Sequence, residues 1–239
     1  MTKIGIIDSG IGGLSVAKAI SDLLPDLDVH YIADHKYLPY GLKTQSFLSE
    51  RINHLGNYLL KKNCDFIVIA CHSASAQLKN IKLDFQWLGV VEPTLSAIIK
   101  LDATAKIGVI GTPATINSGI YQTISPNVIA VETPELAELI ENNSLEQATI
   151  EILFKNKLQN ITHLALACTH YPLAQHMFAR ANLNIIDTPR LCATALAKIY
   201  KDSKGQGRYT VESSNSSNII KTAEKILKRP INQEELSVL

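Results

Sequence analysis

The sequence predicts an α/β protein of two pseudo-symmetric lobes, each a mainly parallel sheet flanked by helices, with a ligand site between them. Three observations carry this prediction. Short apolar runs alternate with helical patterns along the whole chain, the signature of βαβ units. Segments of the first half echo segments of the second: IGIIDSG (4–10) matches IGVIGTP (107–113), and IVIACHSASAQ (67–77) matches LALACTHYPLAQ (164–175). Both members of the second pair end an apolar run in Ala-Cys, a match less easily put down to hydrophobic composition than the strands themselves.

In chain order, KIGIID (3–8), DVHYIAD (28–34) and DFIVIAC (65–71) read as buried strands, because their apolar letters run on with little alternation. GGLSVAKAISDLL (12–24), QSFLSERINHLGNYLLKK (45–62) and SASAQLKNIKL (73–83) follow them as helices. A second series begins with the strand AKIGVIG (105–111) and the amphipathic PELAELIENN (134–143) and LEQATIEILFKNK (145–157). It continues with the strand ITHLALAC (161–168), a helix over PLAQHMFARA (172–181), NIIDT (184–188) as a strand and LCATALAKIY (191–200) as a helix. KDSKGQGR (201–208) reads as a linker, after which YTVESSNSSNIIKTAEKILK (209–228) supplies a strand and a helix that return to the first lobe. The expected division is 1–94 plus 205–239 for the first lobe and 95–204 for the second.

With 239 residues, 46% of them hydrophobic, the chain can bury a sizeable core, yet no apolar run approaches the roughly 20 residues of a membrane helix. Met-Thr-Lys leads into the first strand without a signal peptide, so a cytoplasmic protein is expected. A formal charge of +1, with basic residues thinly spread, offers no footprint for nucleic acid or an anionic membrane, which leaves a small molecule as the expected partner. Cys64, Cys71, Cys168 and Cys192 lie far apart and read as free thiols, the first and last of them structural.

DSGIGGLS invites a dinucleotide reading, which fails because the third glycine position is Ser15 and Asp8 would set a carboxylate beside a pyrophosphate. Cys71-His72 and Cys168-Thr169-His170 formally make a Cys₂His₂ set, but adjacent residues on an extended strand face opposite ways and the usual two-residue spacing is missing, so no metal is expected. A single nucleophilic cysteine is the stronger rival. Two thiols at matching positions instead suggest a reaction with two equivalent faces. Open α/β sheets bind ligands at the carboxyl ends of their strands, where Asp8, Cys71 and Cys168 fall. Ser9, Tyr40, Ser73, Thr112, Thr115 and Thr169 would ring those ends with hydroxyls able to hold carboxylates without Arg or Lys. Taken singly, Thr and Ser in these stretches are more often helix caps.

IDSGIGGLSV, PYG, IACHSAS, GVIGTPATINSGIY and ACTHYPL, in that order, resemble the glutamate racemases of the aspartate/glutamate racemase superfamily, over about Gly5 to Asp187. The resemblance implies a cofactor-independent racemase of L- and D-glutamate, working as a homodimer and supplying D-glutamate for peptidoglycan. It maps the family's catalytic residues onto Cys71, Cys168, Asp8 and His170, and its ligand-holding positions onto Ser9, Pro39, Tyr40, Gly41, His72, Ser73 and Thr169. One thiolate would remove the Cα proton while the other thiol delivers a proton to the opposite face, with Asp8 assisting Cys71 and His170 assisting Cys168. The chain departs from the family after the first cysteine, where His72-Ser73 replaces the usual Asn-Thr. That substitution leaves open a racemase of another acidic amino acid, such as aspartate, or a non-catalytic binding homologue.

Overall fold

The computed structural model describes residues 2–78, 81–202, 205–214 and 219–235. Their strands form two wholly parallel sheets. The first contains β1 (Lys3–Asp8), β2 (Asp28–Ala33), β3 (Phe66–Ile69), β4 (Trp87–Gly89), β9 (Tyr209–Ser213) and β10 (Asn232–Glu235), in the order β10-β9-β2-β1-β3-β4. The second contains β5 (Ile107–Gly111), β6 (Val128–Glu132), β7 (His163–Ala167) and β8 (Asn184–Ile186), in the order β6-β5-β7-β8. The run β2-β1-β3-β4 is therefore repeated as β6-β5-β7-β8, and β9 and β10 extend the first sheet beyond β2. The C-terminal segment thus joins the first sheet through the pairing of β9 with β2. Of the expected linker, Lys201 and Asp202 form a turn and 205–208 are irregular, while Ser203 and Lys204 lie outside the described residues.

Register makes the repeat exact enough to matter. Ile4 of β1 lies opposite Phe66 of β3, and the equivalent Ile107 of β5 lies opposite His163 of β7. Cys71 and Cys168 each stand five residues beyond those partners, so the two thiols leave their sheets at the same place.

Helices cover the sheets because each has one apolar face to bury. In α2 (Gln45–Lys61), Leu48, Ile52, Leu55 and Leu59 fall on one stripe and pack with Ile7, Ile67 and Ile69. Each such side chain contributes about 1.5–3 kcal/mol on burial. The opposite face of the first sheet is covered by α1 (Leu14–Leu23), α8 (Thr188–Tyr200) and α9 (Ile219–Leu227), whose Ile20, Leu196 and Ala223 share one cluster with Ile4, Ile6 and Tyr31. Helix α8 falls inside the range 95–204, yet Cys192, Ala193 and Leu196 are buried against first-lobe residues. Its apolar face goes where α1 offers an apolar face to meet it. Cys64 and Cys192 are buried as expected, and burial pushes both thiols up to about 12.

Two predicted helices differ. The one expected over 73–83 is α3 (His72–Leu78), which begins a residue early; Lys79 and Asn80 lie outside the described residues, and Ile81, Lys82 and Leu83 are irregular. The helix expected over 172–181 is a 3-10 run, Tyr171–Phe178, broken at Ala174 where φ is −111°. Segments not singled out from the sequence are β4, α4 (Val91–Ile98), α5 (Pro113–Asn117), β6 and β10. No helix among the described residues is long and apolar enough to cross a membrane.

Candidate active site

The strands that reach the site do so by ending there. β1 ends at Asp8, β3 gives way to Cys71 and β7 to Cys168. Thr112, whose side chain caps α5 by accepting from the Thr115 N–H at 3.4 Å, follows β5. The lobes meet closely around Gly12, where an added Cβ would lie 2.5 Å from Thr169 Oγ1 and 2.6 Å from His170 Nδ1. Ser15 Oγ, at the position that spoils the dinucleotide pattern, lies 2.8 Å from the Gly12 carbonyl and 3.1 Å from the Thr169 carbonyl, so its one hydrogen is shared between the lobes.

Between the lobes lies a cavity of about 440 Å³. It is lined by Ser9, Pro39, Tyr40, Gly41, Cys71, His72, Ser73, Thr112, Cys168, Thr169 and His170, all singled out from the sequence. Asp8 and Thr115 do not line it. Both are fully buried one layer behind, where Asp8 Oδ1 accepts from the Gly10 N–H at 3.0 Å and Oδ2 from Thr169 Oγ1 at 3.2 Å. Cys71 and His72 face the same cavity, contrary to the opposite-faces argument, because β3 has already ended at Ile69 and His72 opens α3. Among the described residues, no group of three His, Cys, Asp or Glu is placed to hold a metal ion.

The expected ring of free hydroxyls is only partly there. Tyr40 lines the cavity, but its hydroxyl donates to Asp34 Oδ2 at 2.6 Å. Arg51 clamps the same buried carboxylate from behind, with Nε and Nη2 each at 2.8 Å, and lies over the Tyr37 ring at 4.7 Å. Ser73 and Thr112 join across the lobes at 2.8 Å, with Thr115 at 3.1 Å from Thr112. A hydroxyl gives one hydrogen and accepts two, so this cluster keeps acceptor capacity toward the cavity, as does Thr169.

The two thiols have different neighbours. Cys168 Sγ is 3.9 Å from His170 Nδ1, and His170 Nε2 is 2.5 Å from Glu141 Oε2. Burial works against charge on His170, but hydrogen bonding to Cys168 and Glu141 and the charge of Asp8 outweigh it and raise the imidazole to about 10. Burial also opposes the charge on Glu141, and the His170 contact overcomes it and holds the carboxyl below its usual range. Cys71 is pushed up to about 12 by burial and by the Asp8 charge, partly offset by the Ala74 and Ser73 N–H groups. Asp8 is itself raised, chiefly by burial. Glu141, with Ala137, Glu138 and Asn142, belongs to α6 (Leu136–Glu141) and its C-terminal turn, which sequence reading took only as an amphipathic helix. Nothing in the spacing of PELAELIENN marks one glutamate as facing a ligand.

His72 stands apart. It is 2% exposed, burial lowers it to about 3, and neither ring nitrogen has a hydrogen-bond partner. Each buried polar atom left unmet costs about 1–3 kcal/mol.

Two parallel α/β lobes with a thiol entering one cavity from each define a protein built to address a single small ligand from two sides. No protein-family model matches the chain. It is 34% identical over 236 residues to the glutamate racemase of Aquifex aeolicus, covering 92% of both chains. Its structure is similar to that of glutamate racemase isoform RacE1 from Bacillus anthracis, with a TM-score of 0.86 and 27% identity over 99% of this chain and 98% of that one. It is similar also to glutamate racemase from Francisella tularensis in complex with D-glutamate, with a TM-score of 0.84 and 25% identity over the same shares. The chain belongs to the glutamate racemase family.

Proposed function

We propose that the protein interconverts L- and D-glutamate without a cofactor, using Cys71 and Cys168 as the acid and base on opposite faces of Cα. The observation that carries this reading is the shared register of the two thiols and their exposure to one cavity. Inversion requires a proton to leave one face and another to arrive at the other. In one direction the Cys168 thiolate takes the Cα proton, the electron pair of the C–H bond moves into the carboxylate-stabilised carbanion, and the Cys71 thiol gives its proton to that carbon. The reverse direction exchanges the roles.

The neighbours suit this division. His170, charged and anchored by Glu141, stands 3.9 Å from Cys168 Sγ, placed to hydrogen-bond it as the proton is exchanged. Asp8 disfavours charge on Cys71, which favours a thiol ready to donate in the resting site. Among the described residues no Lys or Arg lines the cavity, so the α-carboxylate falls to backbone N–H groups and to the imidazolium. The D-glutamate so formed would serve peptidoglycan synthesis and cell shape, in the cytoplasm, with the enzyme as a homodimer.

The test is incubation of the purified protein with L- or D-glutamate in D₂O. Optical rotation should decay as deuterium enters at Cα. Absence of exchange with glutamate, whether or not aspartate exchanges, would overturn the glutamate reading.

A further inference from the structure

We infer that Arg51 is a positioning residue for the proposed reaction: through the buried carboxylate of Asp34 it fixes Tyr40, and with it the cavity wall formed by 39–41, and so sets the affinity for substrate. The inference rests on the proposed racemase reading and deepens it.

Arg51 lies on the inward stripe of α2 with Leu48, Ile52 and Leu55, and is only 8% exposed. An arginine there calls for a reason, because a buried ion pair often gives no more stability than apolar side chains of the same size. Its partners supply one. Nε donates to Asp34 Oδ2 and Nη2 to Oδ1, each at 2.8 Å, in the two parallel bonds of a guanidinium–carboxylate fork, and the guanidinium lies over the Tyr37 ring at 4.7 Å. A lysine could bring the charge but not the fork. Asp34 Oδ2 also accepts from the Tyr40 hydroxyl at 2.6 Å, and both residues are fully buried. Three side chains thus run in series from α2 to the cavity, and of the three only Tyr40 lines it. The same wall abuts the second lobe, since a Cβ added at Gly41 would lie 3.0 Å from Thr112 Cβ. Where Tyr40 is held therefore decides how closely 39–41 meets Thr112, and with that the width of the cavity. Because its hydroxyl is committed to Asp34, Tyr40 exchanges no proton with the ligand. A fixed wall that meets substrate and transition state alike acts on KM rather than on kcat.

The test is a double-mutant cycle read in racemisation kinetics with L- and D-glutamate: wild type, Arg51→Met, Tyr40→Phe and the double variant. Tyr40→Phe keeps the Arg51–Asp34 pair and removes only its link to the wall. A hydrogen bond to a charged group is worth about 10- to 100-fold in an equilibrium constant, so each single variant should raise KM by about 10-fold, the loss lying in KM rather than kcat. Since Arg51 acts through Tyr40, the double variant should be no worse than the poorer single one. Should Arg51→Met fail to fold, Arg51→Lys takes its place in the same cycle, with a smaller rise in KM because an ammonium restores the charge and only part of the fork. Folded single variants that keep the wild-type KM, a loss confined to kcat, or effects that multiply in the double variant overturn the inference and leave the racemase reading intact. A wild type that does not racemise glutamate overturns both.

Discussion

Replacing Glu141 by Gln tests the electrostatics of the Cys168 side at the residue that sequence reading did not find. The amide keeps an acceptor for His170 Nε2 at the observed 2.5 Å separation and removes the charge. A hydrogen bond to a charged partner contributes about 1.5–3 kcal/mol against about 0.5–1.5 for a neutral one. The difference, about 1 kcal/mol or somewhat more, corresponds to roughly one pKa unit at about 1.36 kcal/mol each. His170, held at about 10, should therefore titrate roughly one unit lower, by that conversion, and still be charged at neutral pH. The sign of the stability effect follows. A histidine raised above its ordinary 6.5 contributes stability that is complete below that value and lost as pH climbs through the folded one, so both proteins should start losing it near the same pH while the variant loses less in total and finishes losing it at lower pH than the wild type. The assay is an NMR titration of the His170 ring across alkaline pH, with urea unfolding at matched points. Enantiomers have equal free energy in solution, so kcat/KM must stay equal in the two directions, and any asymmetry introduced by the variant must appear in kcat and KM separately. An unchanged or raised His170 titration would refute the reasoning.

Other consequences concern the layer behind the cavity. Asp8→Asn should stabilise the fold by about 1–3 kcal/mol at pH 7 while slowing racemisation, because it removes a buried charge yet can still accept from Gly10 and meet Thr169. Since the folded Asp8 carboxyl is raised, that stability gain should shrink as pH falls toward 3.8, which thermal melts at pH 7 and pH 4 would show. Arg51→Met leaves the Asp34 carboxylate buried without its cation and should cost about 3–5 kcal/mol in urea denaturation. A Gly12→Ala substitution forces a methyl group into Thr169 and His170 and should lower kcat by separating the lobes; unchanged kinetics would show that the close approach at Gly12 is not needed.

Much of this was legible in the sequence, and the misses share a cause. Strands buried on both faces announce themselves as unbroken apolar runs, which is why β1, β3, β5 and β7 are legible. The edge strand β6 buries only Val131 and β4 is three residues long, so neither carries enough pattern to be read. The destination of α8 depends on which apolar face is vacant, a tertiary fact that amphipathicity cannot encode. Around the cavity, the lining residues at strand ends are the legible ones because topology sets their position. Glu141 was not, because it sits on a helix whose rotation about its own axis decides whether it meets His170. Tyr40 shows the converse: Pro39, Tyr40 and Gly41 line the cavity, but the partner of the Tyr40 hydroxyl, Asp34 at 2.6 Å, could not be seen without the fold.

The central claim is that two thiols, delivered by equivalent strand ends, act on one Cα from opposite sides. Its most direct test is the rate of racemisation of L- and D-glutamate by Cys71→Ser and Cys168→Ser, each followed by optical rotation with Cα deuteration read by mass spectrometry. Loss of an acid or base typically costs about 10²–10⁴-fold, and each variant should lose that much in both directions, since neither direction can proceed with one face unserved. A folded single variant that racemises at the wild-type rate would contradict the account.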